Sequence, residues 1–317
     1  MKTRSSPKRL AFGSDTFERP VEPASQTLDV RSRRSWGRTV RGYLLLPHLP
    51  PVLVVELATT AFAVIAWGGV PPPQLLGSLL LAMLGGQLAI GATNELVDLP
   101  FDTIGKPWKP LVSGDVSLRG ARVMVVVGLL MMAGFGSRFG PLALTLLAAG
   151  TALGIAYDLW FKRTVWSWLP YLLALPLLPI WVFASLGKPE PRLLLLYPLG
   201  ALATVGVHFA QALPDVAIDR AAGLPTATSR LGQWITFVVA WLTTLSAPVF
   251  ARLAARWLAV EQPYLAIDIA AGLTLLLLTG NVIMFAADRR VGIAACFPLV
   301  ALATLSSGLA WTLTLAQ

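Results

Sequence analysis

The amino-acid sequence predicts an all-α, polytopic integral membrane protein with nine transmembrane helices. Of its 317 residues, 56% are hydrophobic and only 13% are charged, whereas soluble domains carry about 25% charged residues. A transmembrane helix needs about 20 mostly apolar residues. Nine such segments occur, at approximately 43–68, 74–98, 119–137, 140–160, 165–186, 192–215, 233–255, 264–287 and 292–315. This composition excludes an ordinary soluble enzyme and a nucleic-acid-binding domain, and it makes the lipid bilayer the expected surroundings of the chain.

The first 41 residues differ in composition from the rest of the chain. They contain ten Lys and Arg residues against four Asp and Glu residues and have no long apolar run. Such basic segments are typical of solvated tails that lie near anionic lipid. We therefore predict a flexible, basic tail at residues 1–41 and a membrane domain at 42–317. Nothing in the sequence indicates an obligate protein partner.

The first apolar segment is predicted to start irregularly. Pro47, Pro50 and Pro51 interrupt it, and proline disrupts a helix interior because it removes a backbone donor. We expect an interfacial segment that enters the bilayer near Val52. Between the third and fourth segments, residues 138–141 read Arg-Phe-Gly-Pro, which predicts a tight turn.

The distribution of basic residues predicts the orientation in a cell membrane. If the N-terminus is cytoplasmic, the tail and the inner loops each hold ten Lys and Arg residues, whereas the outer loops hold five. The positive-inside rule favours this arrangement. Nine spans then place the C-terminus on the opposite side.

Two clusters of acidic residues lie at the predicted cytoplasmic ends of the second and sixth spans. Charged groups at membrane depth are costly and indicate function. The first cluster consists of Glu95, Asp98 and Asp102 with the neutral amide Asn94 beside them, and the second consists of Asp215 and Asp219. Spacings of three and four residues place the members of a cluster on one helix face. The competing interpretation, that each acid is merely solvated at headgroup level, does not account for all of them in register.

Acidic groups at such close spacing need positive charge to compensate their repulsion. Carboxylate oxygens suit Mg²⁺, which is commonly bound by one or two carboxylates together with substrate phosphates. The loops after the second and fourth spans add the basic residues Lys106, Lys109, Lys162 and Arg163. We therefore predict a cytoplasmic-side pocket for Mg²⁺ and for a substrate that has a diphosphate head and an apolar tail.

The sixth predicted span has a polar stripe on an otherwise apolar helix. His208 and Gln211 lie about two turns and one turn before Asp215, at the 3.6-residue period of a helix. Both residues are candidates for the wall of the substrate pocket. A packing or helix-bridging role for His208 remains an alternative, and His48 is interpreted as an interfacial residue.

These motifs resemble those of the UbiA superfamily of intramembrane prenyltransferases. The first family signature, Asn-Asp-x-x-Asp-x-x-x-Asp followed by Lys-Pro-x-(Arg/Lys)-Pro-Leu, corresponds to residues 94–102 and 106–111. The second, Asp-x-x-x-Asp followed by Gly and Leu-Gly, corresponds to 215–219, Gly223 and 231–232. A Tyr-x-x-x-Lys-like element appears as Tyr157 and Lys162, one residue longer than the usual spacing. The resemblance implies a bundle of nine helices with its active site at the cytoplasmic side.

The chain departs from the family pattern at several positions. Glu95 replaces the usual Asp, and Gln211 with His208 stands where many members have another acid or amide. Leu46-Pro47-His48 stands where an Arg is often found, and Arg41 is a possible substitute. These departures concern the acceptor side more than the metal-diphosphate chemistry.

The resemblance implies Mg²⁺-dependent transfer of a prenyl group from a prenyl diphosphate to a lipophilic, aromatic or quinone-precursor acceptor through an allylic carbocation. The implied metal ligands are Asn94, Glu95, Asp98, Asp102, Asp215 and Asp219. The implied diphosphate-binding residues are Lys106, Lys109, Lys162 and Arg163, the catalytic residues are Asp98, Asp215, Lys162 and Tyr157, and the acceptor or pocket residues are His208 and Gln211. One alternative is a terpene cyclase on the same scaffold, which needs no acceptor. Another is an ion-coupled transporter, which would place acids at the bilayer midplane.

Overall fold

The computed structural model describes residues 36–221, 223–258, 260 and 264–316. Every regular element in this part of the chain is helical, which confirms the predicted all-α class. The α-helices are α1 Trp36–Leu45, α2 Leu49–Trp67, α3 Pro73–Gly105, α4 Leu118–Gly136, α5 Gly140–Ala156, α6 Leu169–Ala174, α7 Leu177–Ser185, α8 Leu196–Ala212, α9 Val216–Ala221, α10 Ala227–Leu231, α11 Gln233–Trp257, α12 Leu265–Ala287 and α13 Arg289–Ala316. Short 3₁₀ turns and one π turn connect or extend several of them.

Six helical segments in the described residues are long and apolar enough to cross a membrane. They are Leu49–Trp67, Pro73–Thr103, Leu118–Phe161, Gln233–Trp257, Leu265–Ala287 and Arg289–Leu315. A pair of helices bent by 55°, Pro191–Pro198 and Leu202–Ala221, would make a seventh, and Leu169–Ser185 is shorter. The chain is therefore a multi-pass membrane protein, but helix length and composition do not confirm the nine predicted crossings.

The segment Leu118–Phe161 reverses its direction near its middle. A 3₁₀ turn at Ser137–Phe139 separates α4 from α5, and Gly140 follows with a positive φ of 86°. The close approaches between helices are Gly85 with Met132 and Ala89 with Gly128 on α4, and Gly86 with Thr151 and Ile90 with Gly154 on α5. Helix α4 therefore runs antiparallel to α3, and α5 runs parallel to it. The predicted tight turn lies at this reversal.

The first predicted apolar segment, 43–68, forms two helices. Helix α1 spans Trp36–Leu45, so the predicted division between residues 41 and 42 falls inside it. Most of the predicted tail, residues 1–35, lies outside the described residues. Helix α2 begins at Leu49 and has two prolines in its first turn, where proline is tolerated because the N–H would have no intrahelical partner. The connection places the Pro47 backbone against Gly91 of α3, at a distance that leaves no room for a Cβ atom.

Proline also divides two other predicted segments. The segment 165–186 is interrupted between α6 and α7, where Pro176 precedes the first residue of α7. The segment 192–215 ends in a 3₁₀ turn, Leu213–Asp215, before the short α9. Pro100, by contrast, lies inside α3, which continues past it to Gly105. As a result, the first acidic cluster lies on a long continuous helix, whereas the second lies on short pieces.

A buried polar contact joins the last three long helices. The Trp241 Nε1–H of α11 donates to Asn281 Oδ1 of α12 over 2.9 Å, and Asn281 Nδ2 donates to the Gly292 carbonyl oxygen of α13 over 2.8 Å. Asn281 is completely buried. Because a buried amide needs hydrogen-bond partners, this contact helps to fix how α11, α12 and α13 pack against one another.

Candidate active site

The first acidic cluster lies in the last turns of α3, and its carboxylates are buried. Glu95, Asp98 and Asp102 are 2%, 8% and 5% exposed. Their three- and four-residue spacing puts them on one face of the helix, as the sequence predicts. Buried carboxylates need partners of opposite charge because desolvation is costly, and two following loops supply those partners.

Lys109 bridges two of these carboxylates. Its Nζ lies 2.7 Å from Glu95 Oε1 and 2.7 Å from Asp102 Oδ2. Burial acts to lower the pKa of Lys109, but its hydrogen bonds to Asp102 and Glu95 outweigh burial, so the pKa is raised. Lys109 is therefore a permanent positive charge between the two acids at physiological pH.

Asp98 is bound by two cations that follow the π turn after α5. Arg163 Nη2 lies 2.8 Å from Asp98 Oδ1, and Lys162 Nζ binds Asp98 Oδ2. Arg163 also lies over the ring of Phe101, with 3.8 Å from its Cζ to the ring centroid. Asp98 thus has cationic partners on both of its oxygens.

A π turn places these two cations. Residues Tyr157–Phe161 form it, and the Lys162 N–H donates to the Tyr157 carbonyl oxygen over 2.8 Å. The spacing between Tyr157 and Lys162, one residue longer than in the family pattern, is accommodated here. Extra residues in a helix form π turns of this kind, which are frequent at functional sites.

The second acidic cluster borders the same pocket as the first. Lys106 Nζ lies 3.7 Å from Asp102 Oδ1 and 4.0 Å from Asp215 Oδ1. The Asp219 carboxyl group lies close enough to Asp215, Lys106, Lys162 and Arg163 for their charges to act on it. The two clusters, which are separated by more than a hundred residues in the chain, therefore face each other across Lys106.

The loop after the second cluster is held by Arg220. Its Nε donates to the Ser229 carbonyl oxygen over 3.0 Å and its Nη2 donates to the Arg230 carbonyl oxygen over 3.2 Å. These bonds tie α9 to the end of α10. They fix the position of the helix that bears Asp219.

His48 lies at the first acidic cluster, although the sequence indicated only an interfacial role. Its Nε2 lies 3.2 Å from Glu95 Oε1. Its backbone is left-handed, with a φ of 58°, and it is the one described residue other than glycine with a positive φ. Such a conformation costs about 1–3 kcal/mol and is concentrated at functional sites. The Pro-His dipeptide at the position of the family's Arg was the signal that could have revealed it.

Asp158 is a second residue whose place the sequence did not predict. It is 2% exposed, and its Oδ1 accepts a hydrogen bond of 2.6 Å from Asn94 Nδ2. The sequence pattern includes Asp158 only as the neighbour of Tyr157. Its place between Tyr157 and Lys162, inside the Tyr-x-x-x-Lys-like element, was the available signal.

A layer of aromatic and polar side chains lies beside the acidic clusters. The Tyr171 hydroxyl donates to Gln211 Oε1 over 2.6 Å, and Ser167 Oγ lies 2.9 Å from Nε2 of the buried His208. The ring of Tyr157 meets the Tyr171 ring edge-on, with 5.3 Å between centroids, and lies 5.9 Å from the His208 ring. His208 and Gln211 thus share one wall with Tyr157.

An apolar cavity adjoins this layer. It has about 910 Å³ of space not filled by atoms, including its open part. Leu175 and Val207, which line it, lie one helical turn beyond Tyr171 and one residue before His208. Phe62 and Trp311 also line it, so it extends into the interior of the bundle.

The donor set at the acidic clusters fits a hard divalent cation. All the candidate ligands offer carboxylate or amide oxygens, which Mg²⁺ prefers. Within the described residues, no three His, Cys, Asp or Glu side chains converge closely enough to hold a metal ion, because ammonium and guanidinium groups lie between the carboxylates. The predicted assignment of these residues as metal ligands stays a prediction.

Comparison with known proteins gives matches over most of the chain. Residues 55–303 match the UbiA prenyltransferase family. The chain is 26% identical to the digeranylgeranylglyceryl phosphate synthase of Korarchaeum cryptofilum over 213 residues, which are 65% of this chain and 75% of that protein. It is 32% identical to the protoheme IX farnesyltransferase of Salinispora tropica over 260 residues, 72% of this chain and 77% of that protein. It is 27% identical to a 2-acylphloroglucinol 4-prenyltransferase of Humulus lupulus over 173 residues, 50% of this chain but only 41% of that protein.

Solved structures have the same fold. A UbiA homologue from Archaeoglobus fulgidus, bound to GPP and Mg²⁺, aligns with a TM-score of 0.59 at 16% identity and covers 86% of this chain and 99% of that chain. A second homologue, from Aeropyrum pernix K1, aligns with a TM-score of 0.63 at 18% identity and covers 82% and 95%. At these identities the likeness concerns the helical bundle alone.

Proposed function

Because the chain belongs to the UbiA prenyltransferase family, and its relatives are named prenyltransferases, we propose that it transfers the prenyl group of a prenyl diphosphate to a lipophilic aromatic or quinone-precursor acceptor, with Mg²⁺ as cofactor. One observation carries this proposal. Lys106 lies between Asp102 and Asp215, so two acidic motifs and their surrounding cations border one pocket.

The basic side chains of the pocket would bind the diphosphate. Each of Lys106, Lys109, Lys162 and Arg163 is paired with a carboxylate. A bound diphosphate would offer its phosphate oxygens to these side chains in exchange for their carboxylate partners. The number of charge-assisted hydrogen bonds is thereby maintained, and such bonds are among the stronger interactions of a site.

The carboxylates released by this exchange would hold the metal. The proposed ligands are Asn94, Glu95, Asp98 and Asp102 on α3, and Asp215 and Asp219 on the opposite side. Mg²⁺, when bound, supplies Lewis-acid stabilisation of the negative charge on the departing diphosphate. Lys162 and Arg163 add positive charge at the same place, and fixed charges of this kind need little reorganisation during the reaction.

The apolar cavity would hold the prenyl tail, and the aromatic layer would surround the reacting carbon. The C–O bond to the diphosphate breaks, and its electron pair leaves with the diphosphate. The electron-rich rings of Tyr157 and Tyr171 can stabilise the allylic cation through cation–π interaction. The apolar walls exclude water, so that the cation meets its partner instead of being hydrolysed.

The acceptor would approach past His208 and Gln211. Its π electrons form a new carbon–carbon bond to the allylic carbon, and it then loses a proton to a remaining carboxylate or to His208. Relatives are named for different acceptors, a heme and an acylphloroglucinol among them. An aromatic acceptor is supported here by the aromatic lining of the layer.

The nine predicted crossings belong to the same proposal. With the reversal between α4 and α5, Leu118–Phe161 would make two crossings, and α6 with α7, and α8 with its flanking turns, would make one each. With the N-terminus in the cytoplasm, both acidic motifs then lie at the cytoplasmic side. A cysteine-accessibility scan of the connecting loops tests this orientation.

The experiment that tests the function uses the full chain in lipid nanodiscs with Mg²⁺. Prenyl diphosphates of several lengths are supplied with and without quinone-precursor acceptors, and diphosphate release and lipid products are measured. A prenylated acceptor is the expected product. A hydrocarbon formed without acceptor would identify a terpene cyclase instead, and absence of any Mg²⁺-dependent diphosphate release would overturn the proposal.

A further inference from the structure

Asp158 is a buried acid that the proposed mechanism does not use. Its carboxylate is 2% exposed, and its Oδ1 accepts the hydrogen bond from Asn94 Nδ2 over 2.6 Å. Its Oδ2 is also buried and has no hydrogen-bond partner among the described residues. Burying a carboxylate with so few partners is costly, so a buried acid at this position is expected to have a role that offsets the cost.

The contact between Asp158 and Asn94 is set by helix packing. Gly154 of α5 packs against Ile90 of α3, and each lies four residues before its member of the pair. The two helices run parallel here, so the same register brings Asp158 to Asn94 one turn later. Asp158 is the second residue of the π turn Tyr157–Phe161, and Lys162, which binds Asp98, follows this turn. Asp158 therefore lies between the part of α5 that packs on α3 and the candidate metal site.

The side-chain amide of Asn94 has two different ends. Its Nδ2 can only donate hydrogen bonds, whereas its Oδ1 can accept them or bind a cation. A carboxylate such as Asp158 can hold only the nitrogen end. With Nδ2 held towards α5, the oxygen is the end left for another partner, and no hydrogen bond to it occurs among the described residues.

We propose that Asp158 is a positioning residue: by binding Asn94 Nδ2, it presents Asn94 Oδ1 as an oxygen ligand to the metal site. The inference rests on the proposed function, since it needs a metal at the first acidic cluster. Partners that orient a metal ligand in this way typically change metal affinity or activity 10- to 100-fold when they are removed. Asp158 itself touches neither metal nor substrate in this arrangement.

The test measures metal binding directly. Mn²⁺, which favours the same oxygen ligands as Mg²⁺, is titrated alone into the purified full chain in nanodiscs, and free Mn²⁺ is followed by electron paramagnetic resonance. Asp158→Leu is expected to raise the half-saturating Mn²⁺ concentration about 10- to 100-fold. The matched control Asp288→Asn, which alters an exposed carboxylate elsewhere, is expected to leave it unchanged.

Two further variants separate positioning from a merely structural hydrogen bond. In an Asn94→Ala background, Asp158→Leu is expected to cause no further loss of Mn²⁺ affinity, because its effect is transmitted by Asn94. The exchange variant Asn94→Asp/Asp158→Asn keeps the volumes, the charge and one hydrogen bond, with an oxygen still facing the metal. It is expected to bind Mn²⁺ within about 3-fold of wild type, about 0.65 kcal/mol, and it decides the question if Asp158→Leu does not fold.

Each outcome has a separate meaning. Wild-type Mn²⁺ affinity in a folded Asp158→Leu chain, even one with lowered thermal stability, would make the contact structural and overturn the inference. Loss of Mn²⁺ binding in the exchange variant, or a full additional loss in the Asn94→Ala background, would overturn it as well. These results leave the proposed function standing, provided wild-type turnover requires Mg²⁺. If the wild-type chain neither binds Mn²⁺ nor releases diphosphate, the proposed function and this inference both fail.

Discussion

The two acidic motifs differ in how completely the protein neutralises them. On α3, Glu95, Asp98 and Asp102 are almost fully buried and have cations at 3.7 Å or closer. On the opposite side, the Asp215 side chain is 51% exposed, and its carboxylate lies 4.0 Å from Lys106 Nζ. The protein's own cations neutralise the carboxylates of the first motif, whereas Asp215 in the second motif remains half-exposed and only loosely paired.

The difference follows from the helices that bear the motifs. Helix α3 is continuous over 33 residues despite Pro100, so its carboxylates are held in fixed register. At the second motif, Pro214 lies in a 3₁₀ turn, and Asp219 lies on a helix of six residues. We therefore expect substrate binding to change the surroundings of Asp215 and Asp219 more than those of the first motif.

The largest effects are expected when one acid in each motif is replaced by its neutral amide. If both are metal ligands as proposed, Asp98→Asn and Asp215→Asn should each lower turnover by about 100-fold or more, since loss of a metal ligand removes several kcal/mol of charge stabilisation. Their stabilities should differ. Asp98→Asn leaves Lys162 and Arg163 without a carboxylate partner and should lower the unfolding temperature, whereas Asp215→Asn should not.

The measurements are diphosphate release at saturating Mg²⁺ and thermal unfolding in detergent. Wild-type rates in either variant would contradict the assignment of two metal-binding motifs. An equal loss of thermal stability in both variants would contradict the conclusion that only the carboxylates on α3 are neutralised by the protein's own cations.

Among the basic side chains of the pocket, Lys109 should contribute most to the free energy of unfolding. Lys109→Ala leaves the buried Glu95 and Asp102 without their shared ammonium group, and breaking a buried pair costs about 3–5 kcal/mol. The control Lys188→Ala removes a hydrogen bond to the Trp67 carbonyl oxygen elsewhere in the fold and should cost about 1 kcal/mol. The free energy of unfolding, measured by reversible denaturation, compares the two variants.

The raised pKa of Lys109 also predicts a pH dependence of stability. A lysine whose pKa is higher in the folded than in the unfolded protein stabilises fully below its unfolded pKa of about 10.4. That contribution is lost as the pH rises through the higher, folded pKa. The stability difference between wild type and Lys109→Ala should therefore be constant between about pH 7 and 9 and shrink only in more alkaline solution. A decline already near pH 7 would contradict the raised pKa.

His208 and Gln211 should affect which acceptor captures the allylic carbocation, and not whether this carbocation forms. Neither has an ion pair with the acidic motifs in the described residues, and their partners are Ser167 and Tyr171. His208→Ala and Gln211→Ala should leave diphosphate release near wild type but shift product or acceptor ratios by about one decade or more, from a cost of about 1–3 kcal/mol for an unpaired group. Loss of diphosphate release as complete as in Asp215→Asn would place them in the metal site, and unchanged products would make the layer structural.

The smallest effect is expected from the cation that links the motifs. Lys106 is more exposed than Lys109, and its two distances to carboxylates, 3.7 and 4.0 Å, are longer. Lys106→Ala should raise the Michaelis constant for prenyl diphosphate about 10-fold, from loss of one charge-assisted contact, and should leave thermal stability unchanged. An unchanged Michaelis constant would show that Lys106 does not bind the diphosphate.

The sequence by itself determined the class of protein and the pattern of the motifs. The apolar segments predicted the helical membrane bundle, and the spacing of Asn94, Asp98 and Asp102 predicted one helix face. The order of the signatures indicated the UbiA family, which the match over residues 55–303 confirms. These features are local, because helix periodicity depends only on residues a few positions apart.

Only the tertiary structure decided which side chains meet. Lys162 binds an acid 64 residues before it, Asp158 binds Asn94 across two helices, and His48 reaches Glu95 from a left-handed connection. Spacing within one helix cannot predict such contacts, because they depend on the register between helices. The pairing of every buried carboxylate on α3 with a cation likewise follows from packing, because burial makes an unpaired charge too costly to leave in place.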